Sequence, residues 1–110
     1  STMNSGVCVR GSDSSSDFYG QLQDVVQLEY LGGGERKVVV LFYCLWYDPI
    51  NGMNVHSTYK IVDVHQNRLY KKFDPFVLAQ QAIQVYYSKY PSLEKDKIDW
   101  MAVCETKSRR

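Results

Sequence analysis

The chain has 110 residues, 45% hydrophobic, 14% aromatic and 23% charged, which is one domain's length with enough apolar mass for a core. Thirteen Lys and Arg against twelve Asp and Glu leave a formal net charge of +1, which excludes a strongly basic nucleic-acid cradle and an acidic solvating tail alike. The longest apolar run, Val38 to Tyr47, is ten residues, too short for a membrane span of roughly 18.

The charge is unevenly spread. Residues 1–50 carry three basic and six acidic side chains, and residues 51–110 carry ten and six, so an electropositive face has to come from the second half. Cys8, Cys44 and Cys104 include no Cys-x-x-Cys pair, so neither a disulfide framework nor a zinc site is expected, and the start of the chain does not read as a secretory leader. A reducing intracellular setting is the simplest expectation.

Residues 1–17 contain Gly6, Gly11 and the run Ser12-Asp13-Ser14-Ser15-Ser16-Asp17, a composition too small and polar to bury much surface, and they are expected to form a flexible arm. Order is expected from Phe18, with residues 18–107 as a single domain and 108–110 as a tail. From Leu22 to Tyr30, Leu22, Val26, Leu28 and Tyr30 alternate with Gln23, Gln27 and Glu29, the period of a half-buried strand, with Val25 on the wet side.

Gly32-Gly33-Gly34 breaks this pattern. The run Val38–Tyr47 is β-branched and aromatic on both parities and predicts the central strand. Asp48-Pro49 and Asn51-Gly52 signal a reversal, and Val55–Val64 returns as a third strand. Asp74-Pro75 carries an N-cap acceptor followed by proline and predicts a short helix with Phe76, Ala79 and Ile83 on one face. Val85-Tyr86-Tyr87 regains strand character. Ile98, Trp100, Ala102 and Cys104 then alternate with Asp99, Met101 and Val103 as a last strand.

About five strands with one short helix before the fourth predict a mainly β fold, a small SH3-like barrel, with a bromo-adjacent-homology-like form as one variant of it. A split α+β sheet under a longer helix is the alternative.

Catalysis finds little support in these residues. His56 and His65 are the two imidazoles, and on one unbroken strand a separation of nine points them to opposite faces. Cys44 and Cys104 lie in apolar strands, where burial keeps a thiol inert, and Cys8 is expected to be exposed in the arm. The triple glycine leads into a strand rather than a helix, so it reads as a hairpin loop and not a phosphate loop. Asp48, Asp63 and Asp74 have no spacing that would gather them on a cation. The expectation is no enzyme, no metal and no cofactor.

Aromatic residues are the more informative feature. Tyr43, Trp46, Tyr47, Tyr70 and Phe73 gather near strand ends and turns, where a small barrel forms a groove or cage for a protein or chromatin peptide, with ordinary core packing as the plainer reading. Arg68, Lys71, Lys72 and Lys89, interleaved with tyrosines, are the nucleic-acid alternative, gripping phosphates while rings stack on bases. A solvated edge guarded by lysines would carry the same residues.

One resemblance spans nearly the whole chain. Asn4-Ser5-Gly6-Val7, Phe18-Tyr19-Gly20, Leu28-Glu29-Tyr30-Leu31-Gly32-Gly33, Val38–Phe42, Trp46-Tyr47-Asp48, Asn67-Arg68-Leu69, Asp74–Ala79, Gln84-Val85-Tyr86-Tyr87 and Glu105-Thr106-Lys107 resemble a plant domain of unknown function that accompanies transposases of the CACTA (En/Spm) class. The resemblance implies a transposon-derived plant protein with an intracellular, nuclear setting, and a domain lying apart from the catalytic transposase region. It implies no catalytic residues and brings no ligand set with it. A non-catalytic interaction module is therefore the leading expectation, with direct DNA contact second, an enzyme in which His56 or His65 meets an aspartate third, and docking against other domains of the parent chain fourth.

Overall fold

The computed structural model describes residues 2–11, 16–56, 58–59, 61–91 and 95–105. Eight strands, β1 (Thr2–Val9), β2 (Phe18–Gly32), β3 (Glu35–Trp46), β4 (Met53–His56), β5 (Ile61–His65), β6 (Phe76–Leu78), β7 (Ile83–Lys89) and β8 (Trp100–Glu105), form one antiparallel sheet. Their order across it is β4-β5-β8-β7-β1-β2-β3-β6. The mainly β expectation holds.

The barrel does not. The sheet is open, because its edge strands β4 and β6 do not pair with each other. The sheet curls at one end, where the chain after β5 lies against the end of β3. There the Asp48 N–H donates to the Arg68 carbonyl at 2.8 Å, the Tyr70 N–H to the Trp46 carbonyl at 2.9 Å, and Tyr47 bridges to Leu69.

The first residues are the largest correction to the expected flexible arm. Thr2–Val9 is β1, between β2 and β7, and Val7 and Cys8 are buried on opposite faces of the sheet. Gly6 is what admits the strand: a Cβ there would stand 2.4 Å from the Val85 carbonyl oxygen, so β1 can approach β7 only without a side chain at this position. Residues 12–15 of the expected arm and residues 106–110, which include the expected tail at 108–110, lie outside the described residues.

Three further expectations are corrected. β3 is the second strand from the edge rather than central, and β7 and β1 hold the middle. The single strand over Val55–Val64 is a hairpin of β4 and β5, with His56 opposite Ile61. Asp74-Pro75 starts no helix: the Asp74 carboxylate accepts the Phe76 N–H at 3.0 Å in a local turn, and Phe76–Leu78 pairs with Leu41–Tyr43 before a single 3-10 turn at Ala79–Gln81. A strand at a free sheet edge gains ladder hydrogen bonds that a three-turn helix there would have to forgo.

Two apolar clusters sit on the two faces. One holds Cys8, Tyr19, Tyr47, Val64, Val85, Tyr87 and Met101. The other holds Val7, Cys44 and Trp46, with Phe18, Leu22, Phe42, Phe73 and Val77 packed around them. Tyr87 donates its hydroxyl to the Gly20 carbonyl at 2.6 Å inside the first cluster, which satisfies both buried groups, and burial raises its pKa well above the ordinary 10.0. On β8 Met101 is fully buried, and Cys104, expected to be kept inert by burial, is exposed.

Beyond Asp24 and Tyr43, β2 and β3 continue as a two-stranded arm to a turn where Gly33 and Gly34 adopt φ of 60° and 81°, the left-handed pair of a tight hairpin. The arm lengthens the molecule to 59 × 38 × 28 Å, with a radius of gyration of 16.0 Å against about 13 Å for a compact chain of this size.

Candidate binding site

Four of the five aromatic residues singled out by the sequence come together. Tyr43, Trp46, Tyr70 and Phe73 line one groove of about 230 Å3 along the outer edge of β3, together with Cys44, Leu45, Leu69, Lys71 and Pro75. The groove exists because residues 68–75 are strapped to that edge, by the hydrogen bonds of Asp48 and Tyr70 and by the Cys44 N–H donating to the Pro75 carbonyl at 2.8 Å. Between the straps the chain bows outward, and its rings fill the bow.

Each ring has a distinct place. Trp46, 6% exposed, is the floor, and its indole N–H donates to the Asp74 carbonyl at 3.0 Å. Phe73 stands edge-on to both Phe18 and Tyr70, with centroids at 4.2 and 4.4 Å. Tyr43 tilts against Phe76 at 5.2 Å. Trp46 and Phe73 also line a second depression of about 200 Å3 with Val9, Phe18, Asp74, Phe76 and Val77, so the two hollows share a wall.

Tyr47, the fifth, belongs elsewhere. It is buried on the opposite face, edge-on to Tyr87 at 5.4 Å, and burial pushes its phenol up to about 12. Cys44, beneath the groove, is held protonated by burial, which raises its thiol to about 11. Cys8, expected exposed, is buried and likewise raised to about 11, first by desolvation.

Lys71 is the one charged side chain lining the groove. A methylated-lysine cage surrounds its cation with ring faces and gains from nearby carboxylate, and a lysine on the rim opposes such a ligand electrostatically.

The basic residues of the DNA alternative do not form one strip. Arg68 donates to the Asn51 carbonyl at 2.7 Å and its guanidinium lies 5.7 Å from the Trp100 ring centre. Lys71 and Lys72 follow Tyr70 on the strapping segment, whereas Lys89 ends β7, opposite Met101 of β8, with β1 and β2 between it and β3.

One constellation was not visible in the sequence. Because Val55–Val64 folds as a hairpin, His56 meets Asp63: its Nε2 lies 3.0 Å from Asp63 Oδ2. Asp63, 2% exposed, also accepts the Tyr90 hydroxyl at 2.6 Å and faces Lys97 Nζ at 3.5 Å, and that ammonium stands 4.4 Å over the Tyr90 ring. These partners account for a buried carboxylate, which is costly unless paired. Burial first, and then Asp63, raises the Tyr90 phenol to about 12. His65 faces elsewhere, accepting the Asn67 N–H at Nδ1 and standing edge-on to Trp100. Asp48 and Asp74 each close their own turn, and among the described residues no group of His, Cys, Asp or Glu could hold a metal.

Fold and site together define a mainly β domain whose single open sheet carries an aromatic groove along one edge. Over residues 26–103 the chain matches the family described as a domain of unknown function (DUF4216), and it belongs to that family. The matched span runs from the arm to β8 and leaves out β1. No curated protein and no solved structure was found to match it. Among the described residues, no helix is long and apolar enough to cross a membrane.

Proposed function

We propose that this domain is a non-catalytic interaction module and that the groove of Tyr43, Trp46, Tyr70 and Phe73 receives an extended segment of a protein or chromatin-associated partner. The observation carrying this reading is the convergence of four aromatic residues, spread over thirty positions of sequence, on one groove beside a sheet edge. Aromatic walls give large contact area at low entropic cost, and Lys71 at the rim favours a partner with an acidic residue beside an apolar one. Further resemblance to domains accompanying CACTA transposases supports a transposon-derived plant parent acting in the nucleus, and that placement rests on the resemblance alone.

Direct DNA contact through Arg68, Lys71, Lys72 and Lys89 is the second reading, supported by the basic excess of residues 51–110. It is the weaker one, because Arg68 is already engaged and Lys89 is set apart from the lysine pair.

Selection of a random phage-displayed peptide library against the domain tests the first reading. Selected peptides should be acidic and apolar, and Tyr70→Ala should weaken them by at least about tenfold, the effect of one aromatic anchor. Peptides that bind Tyr70→Ala and the parent equally would place the site elsewhere. Anisotropy with a short DNA duplex separates the two readings: saturable binding that falls steeply with salt would favour DNA.

A further inference from the structure

The β2–β3 arm presents two unlike faces. In an antiparallel pair, residues directly opposite share a face and successive pairs alternate. One face carries Val25 with Phe42, Gln27 with Val40, Glu29 with Val38, and Leu31 with Arg36, so it is interrupted by polar groups, including a Glu29–Arg36 ion pair at 2.6 Å. The other carries Asp24 with Tyr43, Val26 with Leu41, Leu28 with Val39, and Tyr30 with Lys37. Its centre is apolar without a break, and β6 widens it by placing Phe76 beside Tyr43 and Leu78 beside Leu41.

This second face is open. Leu28 is 48% exposed, Tyr30 52% and Phe76 44%, with Val26, Val39 and Leu41 half-buried between them. A two-stranded ribbon is marginal in water by itself, and an apolar patch of several hundred Å2 marks a surface made to be covered.

The order of residues along the face indicates the cover. An acid, Asp24, stands at the body end, a base, Lys37, at the tip end, and apolar rungs lie between. A second copy related by a two-fold axis through the middle rungs would set Val26 and Leu41 on the partner's Leu28 and Val39. The same operation lays the Asp24–Tyr43 rung over the partner's Tyr30–Lys37 rung, with Asp24 over the partner's Tyr30, Tyr43 over the partner's Lys37, and Asp24 and the partner's Lys37 diagonal neighbours across that rung. The face is therefore complementary to itself when the two arms run antiparallel, as an isologous interface requires. The geometry points to a homodimer formed by packing these two arm faces together, an interface that borders the groove at Tyr43.

The covered area sets the strength. At about 3.4 Å per residue and 4.8 Å between strands, the patch measures roughly 20 Å by 10–14 Å. With side-chain relief that is on the order of 400–500 Å2 per copy, the low end for specific association, so the dimer should dissociate on dilution.

Sedimentation velocity over a concentration series tests this on the whole chain, with circular dichroism to verify folding of each variant. The parent should move from 12.7 kDa toward twice that mass as concentration rises. Leu28→Glu, on the apolar face, should remain monomeric, and Val38→Glu, on the opposite face of the same arm, should dimerise like the parent. Asp24→Lys and Lys37→Glu should each weaken the dimer, and the two together should restore it. A parent that is monomeric throughout overturns the proposal. So does equal sensitivity to Leu28→Glu and Val38→Glu, or a charge swap that fails to restore association.

Discussion

At the body end of β3, Cys44 is 1% exposed and Trp46 is packed under Phe73, while at the arm end of the same strand Val38 is 51% exposed. Both stretches are rich in β-branched and aromatic residues and both pair with β2, with the register shifting between Leu22 and Asp24 where the body passes into the arm. The difference lies in what surrounds them. In the body, β1, β7 and the segment 68–77 supply neighbours on both faces; in the arm, among the described residues, β2 and β3 have each other, the three residues of β6 and the 3-10 turn Ala79–Gln81 beside Val38–Val40. Strand propensity decides that a ribbon forms, and burial decides where it is stable.

This comparison can be broken by substitution. The largest loss is expected at Gly6→Ala, where the new methyl would meet a backbone oxygen of β7 that cannot move aside without parting the two central strands; the variant should fail to fold or melt far below the parent in calorimetry. Met101→Ala, which empties a fully buried site, should cost about 2–5 kcal/mol in chemical denaturation. Tyr87→Phe should cost about 1–3 kcal/mol, because the Gly20 carbonyl is left buried without its donor. In the arm, Leu28→Ala measured at low concentration should lie within about 0.5 kcal/mol of the parent. An arm substitution as costly as Met101→Ala would show that the arm is part of the core.

Alkaline pH sharpens the same contrast. Cys8 and Cys44 are raised from 9.0 to about 11, and Tyr19 and Tyr47 from 10.0 to about 12, in each case chiefly by burial. The folded state thus holds these protons more tightly than the unfolded one, so their contribution is complete below pH 9 and declines as pH rises through 11 and 12. The melting temperature should be level on this account up to pH 9 and fall above it. At neutral pH a thiol reagent should modify exposed Cys104 rapidly and the other two only on unfolding.

How much of this could be read from the sequence follows from the same division. The Gly33-Gly34 turn, the Asp48 reversal and the strand over Val85–Tyr87 depend on local chemistry, and they were legible. So were four groove residues, since rings near turns at a sheet edge have few places to go. β1 was not legible: its apolar residues are few, and Gly6 reads as flexibility until β7 is known to lie against it. The exposed face of Leu28 and Tyr30 was misread for the converse reason, because alternation shows that a face is apolar and not that anything covers it. Trp46, a natural choice for an anchor, is a floor, so Tyr70 is the better residue to replace. His56 and Asp63 met only through a hairpin that no turn signature announced.

The central claim is that the body completes itself and the arm awaits a second surface. Amide hydrogen exchange at low and high protein concentration tests it most directly. The account predicts that Val85, Tyr87 and Met101 exchange slowly and equally at both concentrations, while amides from Val26 to Tyr30 and from Lys37 to Val40 exchange fast when dilute and slow markedly when concentrated. Arm amides as protected as those of the body when dilute, or unchanged by concentration, would contradict it.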